Sequence, residues 1–109
     1  MNRGERRALL HYTIRGYRLL DANARAAGYE LDLVLRRGRT IVFVEVKERA
    51  TDAFGGAMHA VGLEKRRRVR TAARAWLSTH PEGRGLDVVL EVAAVQGGKV
   101  ERRRFGEDA

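Results

Sequence analysis

The run Glu30-Leu31-Asp32-Leu33-Val34-Leu35-Arg36-Arg37-Gly38-Arg39-Thr40-Ile41-Val42-Phe43-Val44-Glu45-Val46-Lys47 holds two stretches of strict alternation around a short basic turn. Alternation with period two is the pattern of a strand, and two such stretches joined by a Gly-containing turn read as a hairpin. In the first strand Leu31, Leu33 and Leu35 share one face and Glu30, Asp32 and Val34 the other; in the second Val42, Val44 and Val46 oppose Ile41, Phe43, Glu45 and Lys47. If the turn is symmetric about Gly38 and Arg39, opposed residues have numbers summing to 77, which sets Asp32 against Glu45 and Glu30 against Lys47. Directly opposed Cβ atoms lie about 4.5–5.5 Å apart, and like charges so placed are destabilising.

Outward from the hairpin, Asn2 followed by Glu5 marks a helix start, and Gly16 its end. Glu5, Ala8, Leu9 and Tyr12 fall on one side of this helix, so the Glu5 carboxylate follows the buried face. Tyr17 to Ala22 reads as a strand, followed by a loop containing Asn23, Arg25 and Gly28. Asp52 to Gly62 is a glycine-rich loop. Glu64 to His80 is an amphipathic helix with Val69, Ala72, Ala73, Trp76 and Leu77 on its apolar stripe, ended by Pro81 and Gly83. Leu86 to Val92 is a strand, Gln96-Gly97-Gly98 a turn, and Val100 to Phe105 an Arg-rich edge strand. The predicted order α-β-β-β-α-β-β, with Leu86–Val92 parallel to Thr40–Lys47, makes an α/β domain: a mixed central sheet flanked by helices.

Composition bounds the chemistry. The 109 residues, with no cysteine and 44% hydrophobic side chains, suit one domain with one core, 1–109. There are 22 Lys+Arg against 14 Asp+Glu, and each half, split at Phe54, holds eleven basic and seven acidic residues. The net charge of +8 therefore belongs to the folded body and favours a polyanionic partner. Without an apolar run of about 18 residues, or an apolar stretch in Met1–Tyr12, the expectation is a cytoplasmic protein with no membrane partner. His11, His59 and His80 lack metal-ligand spacing, and no Walker loop or dinucleotide fingerprint is present.

Asp32, Glu45 and Glu30 crowd one strip with Lys47. One account is a Glu30–Lys47 salt bridge with Asp32 and Glu45 solvated at a sheet edge. The other is a hard divalent cation, Mg²⁺ or Mn²⁺, held by Asp32, Glu45 and the Val46 carbonyl. In that account Lys47 positions or deprotonates water at a phosphodiester, and Glu5 is either a third acid or a simple helix cap. Lys65 lines up with the apolar stripe at the first turn of its helix, so it either snorkels or reaches a phosphate. Arg66, Arg67, Arg70 and Arg74, with Arg68, ring the same helix as a solvated face or as a nucleic-acid-binding surface. Asp87 opens the fourth strand, either facing the same site or buried with a hydrogen-bond partner.

These residues resemble the YraN-like family. The resemblance runs through Gly4-Glu5 and Ala8, Gly16-Tyr17, Leu20, Asn23 and Arg25, then Glu30-Leu31-Asp32-Leu33. It continues in Val42-Phe43-Val44-Glu45-Val46-Lys47, Arg49, Phe54-Gly55, Ala57, Ala60-Val61, Lys65 and Asp87-Val88-Val89. It departs at Tyr29, where the family usually has glycine; Gly28 one position earlier implies a shifted turn. The resemblance implies a restriction-endonuclease-like, PD-(D/E)xK fold related to Holliday-junction resolvases, with Asp32, Glu45 and Lys47 catalytic and Glu5 the helix-borne acid. The implied activity is metal-dependent endonucleolytic cleavage of DNA, double-stranded or branched, by a homodimer. The competing expectation is a catalytically inactive nucleic-acid-binding module on the same fold, and a structural partner protein with an idle acidic strip ranks behind both.

Overall fold

In a computed structural model, which describes residues 1–48 and 62–105, the elements follow the predicted order. Helix α1 (Arg3–Ile14) is followed by strands β1 (Arg18–Ala26), β2 (Tyr29–Arg37) and β3 (Thr40–Glu48). Helix α2 (Leu63–Thr79) and a 3₁₀ turn (Pro81–Gly83) then lead to β4 (Asp87–Gln96) and β5 (Lys99–Arg104). Arg49, Phe54-Gly55, Ala57, Ala60-Val61 and His59, with the loop read from Asp52 onward up to Val61, lie outside the described residues.

The sheet order is β1-β2-β3-β4-β5, antiparallel except for the β3–β4 pair, which is parallel as predicted. The hairpin register is the symmetric one: Leu33 pairs with Val44, Val34 with Phe43 and Arg37 with Thr40. This ladder stops at Leu33 and Val44, one pair short of Asp32 and Glu45.

Each sheet face is covered by one helix. On one side Val34, Ile41, Phe43 and Val92 pack with Val69, Ala72, Ala73 and Trp76 of α2. On the other, Leu33, Leu35, Val42, Val44 and Ala93 pack with Ala8 and Tyr12 of α1. Side chains such as Phe43, Trp76 and Leu33 are fully buried, each contributing roughly 1.5–3 kcal/mol or more of transfer free energy.

Two readings change. β1 does not stop at Ala22: its ladder with β2 resumes at Ala24↔Leu31 beyond Asn23, which sits at φ 50. Asparagine tolerates this left-handed conformation better than most residues, so the strand bends there and continues. Leu31 consequently does not share a face with Leu33 and Leu35 but packs with Ala24 in the α2-side core. The β1–β2 turn falls on Ala27 and Gly28, both at positive φ, which explains why Tyr29 can already be a strand residue paired with Ala26.

Candidate functional site

The interruption of both ladders around Asp32 creates the site. Neither the Asn23–Asp32 position of the β1–β2 ladder nor the Asp32–Glu45 position of the β2–β3 ladder forms a regular pair. The Asp32 side chain takes over the strand's role, its Oδ2 accepting a hydrogen bond from the Val46 N–H at 2.8 Å. Val46, considered above as a carbonyl donor to a metal, thus has its amide committed to the neighbouring acid.

From the α1 side comes Glu5. Its backbone N–H donates to Asn2 Oδ1 at 2.8 Å, and its Oε1 accepts from the Asn2 N–H at 2.9 Å, a complete capping box. The same Oε1 accepts from Asn23 Nδ2 at 3.1 Å. Carboxylate oxygens of Glu5, Glu30 and Asp32 lie within 4.8 Å of one another. Glu5 is therefore both helix cap and member of the acidic cluster. Glu30, which one of the two accounts above paired with Lys47, joins these acids, and among the described residues no ion pair links it to Lys47.

Glu45 turns toward α2, where its Oε2 meets Lys65 Nζ at 3.2 Å. Lys65 does point inward, as its helical phase predicts. Glu45 is only 6% exposed and Asp32 8%. Burial, followed by the nearby Glu45 charge and with smaller contributions from Glu5 and Glu30, pushes the Asp32 carboxyl up to about 7 against the partial relief from the Val46 amide. Asp32, Glu5 and Glu30 are thus one gathering of acids, with Glu45 close enough to act on Asp32 but tied to a lysine. Lys47 is half-buried at the end of β3, level with Ala94 of β4.

Arg67, Arg68 and Arg74 are exposed on α2, whereas Arg66 and Arg70 are half-buried; Arg68 pairs with Glu64 at 3.4 Å. Asp87 is neither in the site nor buried. Because β4 runs parallel to β3, Asp87 pairs with Thr40 at the opposite end of the strands from Glu45, and it is exposed.

A further buried carboxylate escaped the sequence reading. Glu91, 5% exposed, accepts hydrogen bonds from Tyr12 Oη at 2.6 Å and from Arg102 Nε and Nη2 at 3.0 and 3.2 Å. Arg102 also reaches Tyr17 Oη at 3.0 Å and lies over the Tyr12 ring. The signal was a lone acid within the apolar run Val88-Val89-Leu90-Glu91-Val92-Ala93.

A mixed five-stranded sheet with a helix on each face is an α/β core of the restriction-endonuclease-like type. The chain belongs to the uncharacterised protein family UPF0102, the YraN family, whose model matches residues 4–95. It is 47% identical over 79 residues to a UPF0102 protein of Alkalilimnicola ehrlichii, covering 72% of this chain and 63% of that one. To a UPF0102 protein of Methylobacterium nodulans it is 50% identical over 91 residues, covering 84% and 69%. A UPF0102 protein of Enterobacter sp. strain 638 is 37% identical over 98 residues, covering 87% and 75%. The chain spans 63% and 59% of the length of the first two curated relatives it matches. No helix among the described residues is long and apolar enough to cross a membrane.

Proposed function

We propose that this protein is a metal-dependent endonuclease that hydrolyses phosphodiester bonds in DNA, with branched or otherwise structured DNA as its substrate. The observation that carries the reading is the convergence of Glu5, Glu30 and Asp32 oxygens within 4.8 Å, in a chain whose net charge is +8. Three carboxylates brought together from a helix and a strand raise one another's energy unless a cation joins them, and an all-oxygen donor set suits Mg²⁺ or Mn²⁺. Asp32 and Glu5, with Glu30, would hold the ion, and Glu45 would join once released from Lys65. A bound divalent ion would polarise the phosphate and supply water as a nucleophile. Lys47 then positions that water or takes its proton and offsets charge developing on the phosphoryl oxygens. The exposed α2 arginines, Arg67 and Arg74 with Arg66 and Arg70 beside them, hold the backbone, and Lys65 takes a phosphate as its alternative to Glu45. Two sites on a symmetric junction would call for a homodimer.

The Lys65–Glu45 contact favours a second reading, a nucleic-acid-binding module without catalysis in which Lys65 serves as the cation for the acids. One experiment separates them. Four-way junctions, flaps, single strands and duplex are incubated with the protein in Mg²⁺ or Mn²⁺, beside Asp32→Asn, Glu45→Ala and Lys47→Ala. Divalent-dependent cleavage lost in all three variants supports the nuclease. Salt-sensitive binding without cleavage supports the silent module, and cleavage unchanged in the variants removes this site from the reaction.

A further inference from the structure

A cavity of about 810 Å³ opens at the carboxyl ends of the parallel pair β3 and β4. One wall is the first turns of α1 and the other is the end of β3 with the turn between β4 and β5. Among the described residues its charged lining is Arg3, Arg6 and Arg7 against one acid, Glu48, and all four are exposed. Arg6 donates from Nε and Nη2 to the Met1 carbonyl, at 3.2 and 3.1 Å, whereas Arg3 and Arg7 make no hydrogen bond or ion pair among the described residues. The turn wall is Gly97-Gly98, at φ 56 and 84, and a Cβ on Gly98 would come within 3.9 Å of the Arg7 guanidinium. The Arg7 guanidinium thus lies beside this side-chain-free turn.

We infer that this groove binds the phosphodiester backbone of the nucleic-acid strand leaving the acidic site, through Arg3 and Arg7. The inference rests on the nucleic-acid reading above and adds a second contact surface, separate from the α2 arginines. Continuity supports it. Gly4 lines the groove and Glu5, the next residue, belongs to the acidic cluster; Glu48 lines it and lies three residues beyond Glu45 on the same strand. At about 3.3 Å per strand residue that separation is roughly 10 Å, or about three base steps at 3.4 Å of rise along a duplex axis. The cations are exposed, flexible side chains, not buried groups, an arrangement that tracks a charged backbone better than it fixes a small anion. Leu10 and Val95 supply an apolar floor for sugar carbons.

Glu48 works against the strand and makes the test directional. Any Cβ at Gly4 would fall 2.5 Å from Glu48 Cγ, so the glycine lets this side chain lie across the start of α1, where the helix dipole favours an anion. A phosphate entering the groove meets that carboxylate.

The experiment measures binding of a fluorescent duplex and of a single strand, without divalent ions, as a function of salt. For Arg3→Ala/Arg7→Ala the log–log salt slope on duplex should fall by about 1.8, two phosphates at about 0.9 each, and affinity should drop. Glu48→Gln should bind tighter than the parent. Both side chains of the double variant are exposed, and an unchanged melting curve verifies its fold. If the parent binds with a steep salt slope, and Arg67→Ala/Arg74→Ala weakens it while the groove variants match the parent, the groove inference is overturned and the nucleic-acid reading stands. If the parent shows no salt-dependent binding at all, both fall together.

Discussion

Two buried carboxylates, Asp32 and Glu91, occupy opposite electrostatic situations within one sheet. Glu91 is saturated: a tyrosine hydroxyl and a forked guanidinium occupy its oxygens. Burial works against the Arg102 charge, but its hydrogen bonds to Glu91 and the attraction of that carboxylate outweigh this and hold its pKa above the ordinary value. Burial, and then the Glu91 charge, raise the Tyr12 hydroxyl as well, so it stays a donor. Asp32 receives one backbone amide and is otherwise surrounded by acids. The first arrangement is complete without a ligand and ties α1 to β4 and β5. The second leaves a buried acid short of positive charge, the situation the proposed divalent ion would relieve.

The largest expected effect breaks the saturated side. Glu91→Ala strands Arg102 beside two tyrosines and should cost about 3–5 kcal/mol in denaturant unfolding, the usual penalty for orphaning a buried charge. A loss below 1 kcal/mol would show that Arg102 swings to solvent, and the contrast with Asp32 would weaken.

Asp32→Asn should act with the opposite sign. A carboxyl whose folded pKa is about 7, against an ordinary value of 3.8, favours the native state while protonated there and loses that advantage as pH rises from about 4 through 7. Without divalent ions the parent should therefore lose stability across that window, and Asp32→Asn should remove the trend. At pH 8 the variant should be more stable, on the order of 4 kcal/mol at 1.36 kcal/mol per unit. Added Mg²⁺ should stabilise the parent and not the variant. Identical pH profiles of parent and variant would remove Asp32 from the strained position assigned to it.

Smaller changes sharpen the comparison. Tyr12→Phe removes one hydrogen bond to a charged acceptor but leaves the Arg102 fork, so about 2 kcal/mol is expected from thermal unfolding, less than Glu91→Ala. Lys65→Met breaks a pair whose lysine is 39% exposed, and its stability cost should stay under about 1 kcal/mol. Its informative readout is titration with Mn²⁺: release of Glu45 should tighten binding if Lys65 competes with the ion, and weaker binding would count against that competition.

Much of the fold was legible because its signals are local. Alternation and a symmetric Gly38-Arg39 turn sufficed for the β2–β3 register, and Asn2 with Glu5 for the start of α1. The site was legible in part. Asp32 does lie near both Glu5 and Glu45, but strict alternation misassigned Leu31 and paired Glu30 with Lys47, since period two cannot register a left-handed residue on the neighbouring strand. Asp87 was misplaced for a different reason: its strand is parallel to β3, so its first residue is level with Thr40 and not with Glu45.

The sequence by itself determined the order of elements, the hairpin register, the charge of +8 and the presence of acids where two apolar strands meet. Only the tertiary structure decided which partners these acids meet. Pairing depends on side chains distant in the chain, Arg102 for Glu91, Lys65 for Glu45 and Asn23 for Glu5, and no local period encodes those meetings. Burial then sets their energy, leaving Glu91 satisfied and Asp32 short of positive charge.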